Sequence, residues 1–215
     1  DDLSEVWMKS MISSSFFCID ESLWKFICRT SGTENLKAVR TIPRKPAGTG
    51  LMAYELCGFT HKADLPYTFG VTPITLVDAP SPTTAALHLM TMFNQHKPPG
   101  TPAVLVAIMD AAFSSADAIK GYAKLDWKYC ISAHPGYHKD LTSCLEDDLK
   151  LNEYRILANF GDTGIYSAYR TCFRMTDKQK ERGLASGNAV IFRNFTNAYK
   201  LVEPNLVSEP TASSS

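Results

Sequence analysis

The sequence carries no excess of either charge: Lys and Arg number 22 against 22 Asp and Glu in 215 residues. A dedicated non-specific nucleic-acid binder shows a basic surplus, so that class is not indicated. Long hydrophobic runs are missing as well. The longest spans Ala103 to Met109, well short of the roughly 18 residues that a membrane helix requires, so no membrane association is expected. No C-x-x-C pair occurs among the cysteines, which are Cys18, Cys28, Cys57, Cys130, Cys144 and Cys172. A chain that is 45% hydrophobic over this length buries a core without a disulfide framework, and the thiols read as buried and reduced in an intracellular protein. An initiating Met and a signal-peptide pattern are also lacking at Asp1, which reads as a piece of a longer protein. Asn194-Phe195-Thr196 fits a glycosylation sequon, but without a signal peptide it carries no weight.

What is present is a succession of apolar runs and amphipathic stretches. Residues 1–13 read as a short helix with Val6, Met8, Met11 and Ile12 on its apolar side. An apolar run from Ser15 ends on the carboxylate of Asp20. Residues 29–50 read as a loop that holds Arg29, Lys37, Arg40, Arg44 and Lys45 among Gly, Thr and Pro. Leu51–Phe59 is a strand and Pro66–Leu76 its hairpin partner, with Pro73 suiting an edge or a bulge. Ser81 and Pro82 supply an N-cap and a first helical position. Ala86, Leu89, Met90 and Phe93 then recur at i, i+3, i+4 and i+7, which makes one buried face. Ala103–Asp110 is apolar up to its final Asp, as a strand buried on both faces would be. Ser114 and Asp117 look like a capping box opening a helix to Leu125, and Trp127–Ala133 is another strand.

The order up to residue 136 is helix, three strands, helix, strand, helix, strand. It predicts an α/β fold, a mixed sheet flanked by helices in the ribonuclease H-like arrangement, in which the first and fourth strands are neighbours. Residues 1–136 form that core in this reading. Beyond it, Leu141–Leu151 reads as a short helix bearing Glu146, Asp147 and Asp148. Tyr154–Phe160 and Gly164–Arg170 flank the hairpin signal Gly161-Asp162-Thr163-Gly164, and Val190–Tyr199 is a last strand. Residues 137–200 are thus a β-rich segment after the fifth strand. Residues 201–215, poor in large apolar residues, read as a disordered tail.

Asp20 and Asp110 are the first candidate site. Two carboxylates converging from adjacent strands can share one or two Mg²⁺ or Mn²⁺ ions, hard cations that take oxygen ligands. Ions about 3.5–4 Å apart serve phosphodiester chemistry, one activating the attacking water or 3′-hydroxyl and one stabilising the leaving oxygen. The alternative for each Asp is a plain cap on the turn after its strand. Lys37, Arg40, Arg44 and Lys45 follow the first Asp-bearing strand, where a DNA backbone would meet them. Phosphate contact is electrostatic and needs no fixed spacing; the alternative is a solvated loop. Glu146, Asp147 and Asp148 read as a solvated helix face. Cys130, His134, His138 and Cys144 carry zinc-type donors, but without a compact knuckle they read as a buried thiol and loop residues.

Phe17-Cys18-Ile19-Asp20-Glu21-Ser22-Leu23, followed by Arg40-Thr41-Ile42-Pro43-Arg44-Lys45-Pro46 and Gly50, resembles the catalytic region of the piggyBac transposases. That family has an apolar strand ending Asp-Glu, then an Ile-Pro-x-Lys-Pro-x-x-x-Gly stretch. Asp110-Ala111-Ala112-Phe113-Ser114-Ser115 is similar to its second signature, Asp-Asn-x-Phe-(Thr/Ser)-Ser, with Ala111 where the family has Asn. Tyr154–Arg170 is similar to the hairpin of the family's insertion domain, which implies an insertion-domain-like role for residues 137–200. The resemblance implies a ribonuclease H-like fold and metal-dependent DNA cleavage and strand transfer of the DDE/D type. It implies Asp20 and Asp110 as catalytic metal ligands for Mg²⁺ or Mn²⁺, and a nuclear protein with DNA as partner. The family's third catalytic Asp, in a Gly-Gly-Val-Asp context, and its C-terminal zinc module have no counterpart in this sequence. The second expectation is therefore a domesticated, inactive module that binds DNA, a protein partner or a second copy of itself.

Overall fold

Along β1 (Ser13–Lys25) burial alternates: Phe17 and Ile19 are buried, whereas Cys18 and Asp20 are exposed. The two-residue period of a strand sends these pairs to opposite faces, and the apolar pair faces the helices. The structure is a computed structural model that describes residues 2–25, 39–41, 48–61, 65–74, 80–133, 154–158, 165, 167–174 and 186–193. Its elements are α1 (Asp2–Ser10), β1, β2 (Val39–Thr41), β3 (Thr49–Thr60), β4 (Pro66–Pro73), α2 (Pro82–His96) and β5 (Val106–Met109). A one-turn 3-10 helix (Ala111–Phe113), α3 (Ala116–Lys124), β6 (Lys128–Ser132), β7 (Tyr154–Ala158), β8 (Ser167–Arg174) and β9 (Ser186–Arg193) complete them. The result is an α/β fold.

The sheet is mixed, in the order β2-β3-β1-β5-β6-β9-β8-β7, with β4 also on β3. β1, β5 and β6 run parallel, and β3 runs antiparallel to β1. The outer edge of β3 is shared, by β2 beside Thr49–Leu51 and by β4 beside Ala53–Phe59. β9 hydrogen-bonds to β6, so the sheet continues from the first part of the chain into the β7–β8–β9 antiparallel segment.

Helix α2 begins where the residues require. The Ser81 side chain accepts the Thr84 N–H at 3.1 Å, Pro82 needs no donor partner there, and Ala86, Leu89, Met90 and Phe93 are all fully buried. They meet Phe17, Phe69 and Trp127, whose rings pack edge-on around Phe93 and one another at 4.8–5.8 Å. The Trp127 indole N–H donates to Asn94 at 3.2 Å, and Asn94 donates to the Leu125 carbonyl at 3.1 Å, so one amide ties α2 to the turn before β6.

Several expectations are corrected. β1 does not stop at Asp20; it continues to Lys25 because β3 pairs with it through Gly50. Val39–Thr41, expected in a loop, forms β2 on the edge of β3. The run Ala103–Asp110 is not buried on both faces: only Val106–Met109 is strand, and Ile108 is 48% exposed on the face away from the helices. Helix α3 is capped by Ser115, not Ser114, because the 3-10 turn after Asp110 uses up the intervening residues and the buried Ser114 hydroxyl closes it onto the Ala111 carbonyl. In α1 the inward residues are Ser4 and Met8, one turn apart, and Ser4 both donates to and accepts from the Val71 backbone on β4. Val6, Met11 and Ile12 are exposed instead. The expected helix over Leu141–Leu151 and the tail 201–215 lie outside the described residues.

Gly50 closes the β1–β3 pairing opposite Lys25, and a Cβ there would run into the Trp24 carbonyl oxygen and lie 2.8 Å from the carbonyl carbon. The obstacle is backbone, so the strands must part to admit it. We expect Gly50→Ala to destabilise the protein by about 2 kcal/mol or more, read as a lower midpoint in urea unfolding. An unchanged midpoint would contradict the close approach.

Candidate functional site

The strands bearing Asp20 and Asp110 are adjacent and parallel, in register from Phe16 opposite Val106 to Ile19 opposite Met109. One residue further on, Asp20 comes beside Asp110 on neighbouring strands, which are spaced about 4.8 Å apart in a sheet. Both side chains are exposed. Asp110 stands where β5 ends, and its Oδ1 accepts the Ala112 N–H at 2.8 Å to cap the 3-10 turn that buries Phe113. Asp20 Oδ1 accepts the Glu21 N–H at 2.7 Å. The plainer alternative, a cap on the turn after the strand, is met by Asp110 alone, since β1 continues past Asp20; among the described residues these bonds engage one oxygen of each carboxylate and leave the other open.

Cys18 lies on the same face, two residues before Asp20 and opposite Ile108. Burial, and then the charges of Asp20 and Asp110, push its thiol above the ordinary range. One thiol thus lies within electrostatic range of both carboxylates. Two like charges held close repel, and a cation between them relieves that repulsion. Two carboxylates with one open oxygen each suit a hard cation whose remaining positions are filled by water. Among the described residues no group of three or more His, Cys, Asp and Glu is placed to hold a metal ion.

Glu55 was missed by sequence reasoning. It pairs with Asp20 across β1 and β3, so the lateral row reads Glu55, Asp20, Asp110. Its carboxylate is already engaged: Ser22 donates at 2.6 Å and the Trp24 indole N–H donates to the same oxygen, while the Cys57 thiol reaches the other at 3.4 Å. Glu55 thereby holds the extension of β1 in place beyond Asp20. The signal that could have found it is a lone carboxylate within the apolar run Leu51–Phe59.

Of the expected basic residues only Arg40 lies among the described ones. Arg40 lies in β2 opposite Gly50, whereas Asp20 faces Glu55 further along β3. Lys37, Arg44 and Lys45 lie outside the described residues, as do Glu146, Asp147 and Asp148. Of the zinc-type donors only Cys130 is described; it sits in β6 beside Ile108.

No protein-family model matches the sequence. No curated protein matches it. Among solved structures, the fold is similar to a chain in the cryo-EM structure of a piggyBac transposase synaptic complex with hairpin DNA, at a TM-score of 0.55 and 11% identity. The superposition covers 85% of this chain and 34% of that one, so this chain spans about a third of the transposase chain. At that identity the likeness is one of fold: the architecture is transposase-like. No described helix is long and apolar enough to cross a membrane.

Proposed function

We propose that this chain is the ribonuclease H-like core of a piggyBac-transposase-like protein, with Asp20 and Asp110 as its cation-holding carboxylates. The observation that supports this reading is their side-by-side placement where two parallel-paired strands meet, each with a carboxylate oxygen free among the described residues, within a transposase-like fold. In the whole protein the activity would be DDE/D-type DNA cleavage and strand transfer. A bound Mg²⁺ or Mn²⁺ would polarise the attacking oxygen and stabilise the leaving one. The chain's own residues do the positioning. The cap on Ala112 fixes the Asp110 carboxylate, the parallel pairing brings Asp20 to it, and Glu55 holds the strand extension through Ser22 and Trp24. Lys37, Arg40, Arg44 and Lys45 contact DNA phosphates, and a nuclear location follows from that partner.

A second reading is a domesticated module that binds DNA or protein without cleaving. It is favoured by the observation that only two carboxylates with open oxygens converge among the described residues, since two seldom fix ions on both sides of a scissile phosphate. In both readings this chain by itself forms no hairpins and transfers no strands in Mg²⁺. The test is a DNA-binding titration across salt, with a parallel cleavage assay. We expect the fourfold Ala variant at Lys37, Arg40, Arg44 and Lys45 to weaken binding alike on every DNA sequence and to lower the log–log salt slope by about 3–4. Undetectable binding by the wild type would overturn the DNA reading and leave the protein-partner one. Cleavage that disappears in Asp20→Asn would show a third ligand within this chain.

A further inference from the structure

We propose that Cys18 and Cys57 form a reversible dithiol–disulfide couple on the exposed face of the sheet. The two are direct cross-strand partners in the antiparallel β1–β3 pairing, so their side chains leave the sheet on the same side. Both thiols are free in the structure; Cys18 is exposed and Cys57 half-buried. Directly opposed antiparallel residues have Cα atoms about 4.5–5.5 Å apart, inside the span of roughly 4.4–6.8 Å that a disulfide bridges. Their Cβ atoms lie about 4.5–5.5 Å apart, whereas a disulfide wants roughly 3.5–4.5 Å. Closure therefore draws the strands together and leaves the bond strained. A strained, accessible disulfide is easily reduced, which marks the couple as reversible rather than as a permanent staple.

Burial, and then the Glu55 carboxylate, push the thiol of Cys57 up to about 11, which slows closure at pH 8.5 without blocking it. Its sulfur lies 3.4 Å from a Glu55 oxygen and 3.7 Å from the Thr68 hydroxyl, both weak contacts for a thiol. The oxidant is a low-molecular-weight disulfide, R–S–S–R. Cys18, the more exposed thiol, attacks one of its sulfurs as the thiolate, which forms a Cys18–S–S–R bond and expels one RS⁻. The Cys57 thiolate then attacks the Cys18 sulfur and expels the second RS⁻. The two protons lost by the protein thiols are taken up by the two RS⁻, so one small disulfide becomes two thiols as one protein disulfide forms.

Cys130 supplies an internal control. It shares the same lateral row, but Ile108 of β5 stands between it and Cys18. Two strand spacings amount to about 9.5 Å, beyond the roughly 7 Å limit between Cα atoms for a disulfide without backbone movement. The experiment treats the full chain with oxidised glutathione at pH 8.5, blocks remaining thiols, and maps the peptides by mass spectrometry without reduction. The expected result is a peptide linking Cys18 to Cys57, unchanged in Cys130→Ser, absent in Cys18→Ser and Cys57→Ser, and reversed by dithiothreitol. In Cys57→Ser the mixed disulfide on Cys18 should persist instead, a positive signal that does not depend on loss. Absence of the Cys18–Cys57 link in wild type, while Cys18 becomes glutathionylated or stays free, would overturn the proposal. So would a link that dithiothreitol fails to reduce in the folded protein.

Discussion

Replacing Phe17 with Ala lowers the stability of the folded chain by about 3–5 kcal/mol, the range for truncating a buried aromatic in a core that collapses only partly. Phe17 is 2% exposed and touches three other rings, with centroids 5.4 Å from Phe69, 4.8 Å from Phe93 and 5.2 Å from Trp127. Those rings come from β4, from α2 and from the residue just before β6, so the cavity would open where these parts meet. The strand that carries Phe17 is central, with β3 on one side and β5 on the other. Cys18 and Asp20 leave the same strand on its opposite face, so loosening this core also loosens the acidic end. For a chain of this length the loss corresponds to a melting point lower by roughly 6–20 °C. Phe17→Leu, which keeps most of the volume, should cost less, about 1–2 kcal/mol. Urea unfolding reads both; a Phe17→Ala loss below about 1 kcal/mol would contradict the packing described.

The parts of the fold that local pattern determines were legible. A Ser-Pro start and a 3.6-residue apolar period identify α2 and its buried face, and the two Asp-terminated apolar runs identify the neighbouring strands β1 and β5. What remained hidden depends on partners distant in sequence. Glu21-Ser22-Leu23-Trp24-Lys25 has no strand-like alternation of its own, yet it stays extended because β3 offers it a ladder as far as Gly50. Val39–Thr41 is a strand for the same reason, borrowed from the edge of β3. The apolar run through Ile108 could not say that one of its faces would be left exposed, since periodicity reports composition and not what packs against it. Glu55 drew no notice within the apolar strand because its role comes from Ser22 and Trp24 on another strand. The pairing of β9 with β6, distant along the chain, likewise has no local signature. The adjacency of Asp20 and Asp110 was the one long-range feature that topology made readable.

We expect Mn²⁺ to stabilise the wild-type protein and to leave Asp20→Asn and Asp110→Asn unmoved. With two carboxylates as its protein ligands the affinity is weak, with a Kd on the order of 1 mM. At ten times that concentration, binding to the folded state alone adds about 1.4 kcal/mol, or roughly 3–6 °C in Tm for a chain of this size. The choice of Asn matters at position 110. Its amide oxygen can still accept the Ala112 N–H, since Asn caps a helical turn about as well as Asp. The substitution therefore removes charge and keeps the turn. At position 20 an Asn amide oxygen can likewise accept the adjacent Glu21 N–H within the strand. An ion held jointly by the two residues makes their effects coupled rather than additive. The decisive measurement is a Mn²⁺ titration of thermal unfolding on wild type, both single variants and the double variant. The account predicts a saturating rise in wild type and none in the other three, the double being no worse than either single. Equal rises in all four proteins, or half the rise in each single variant, would contradict a cation held jointly by Asp20 and Asp110.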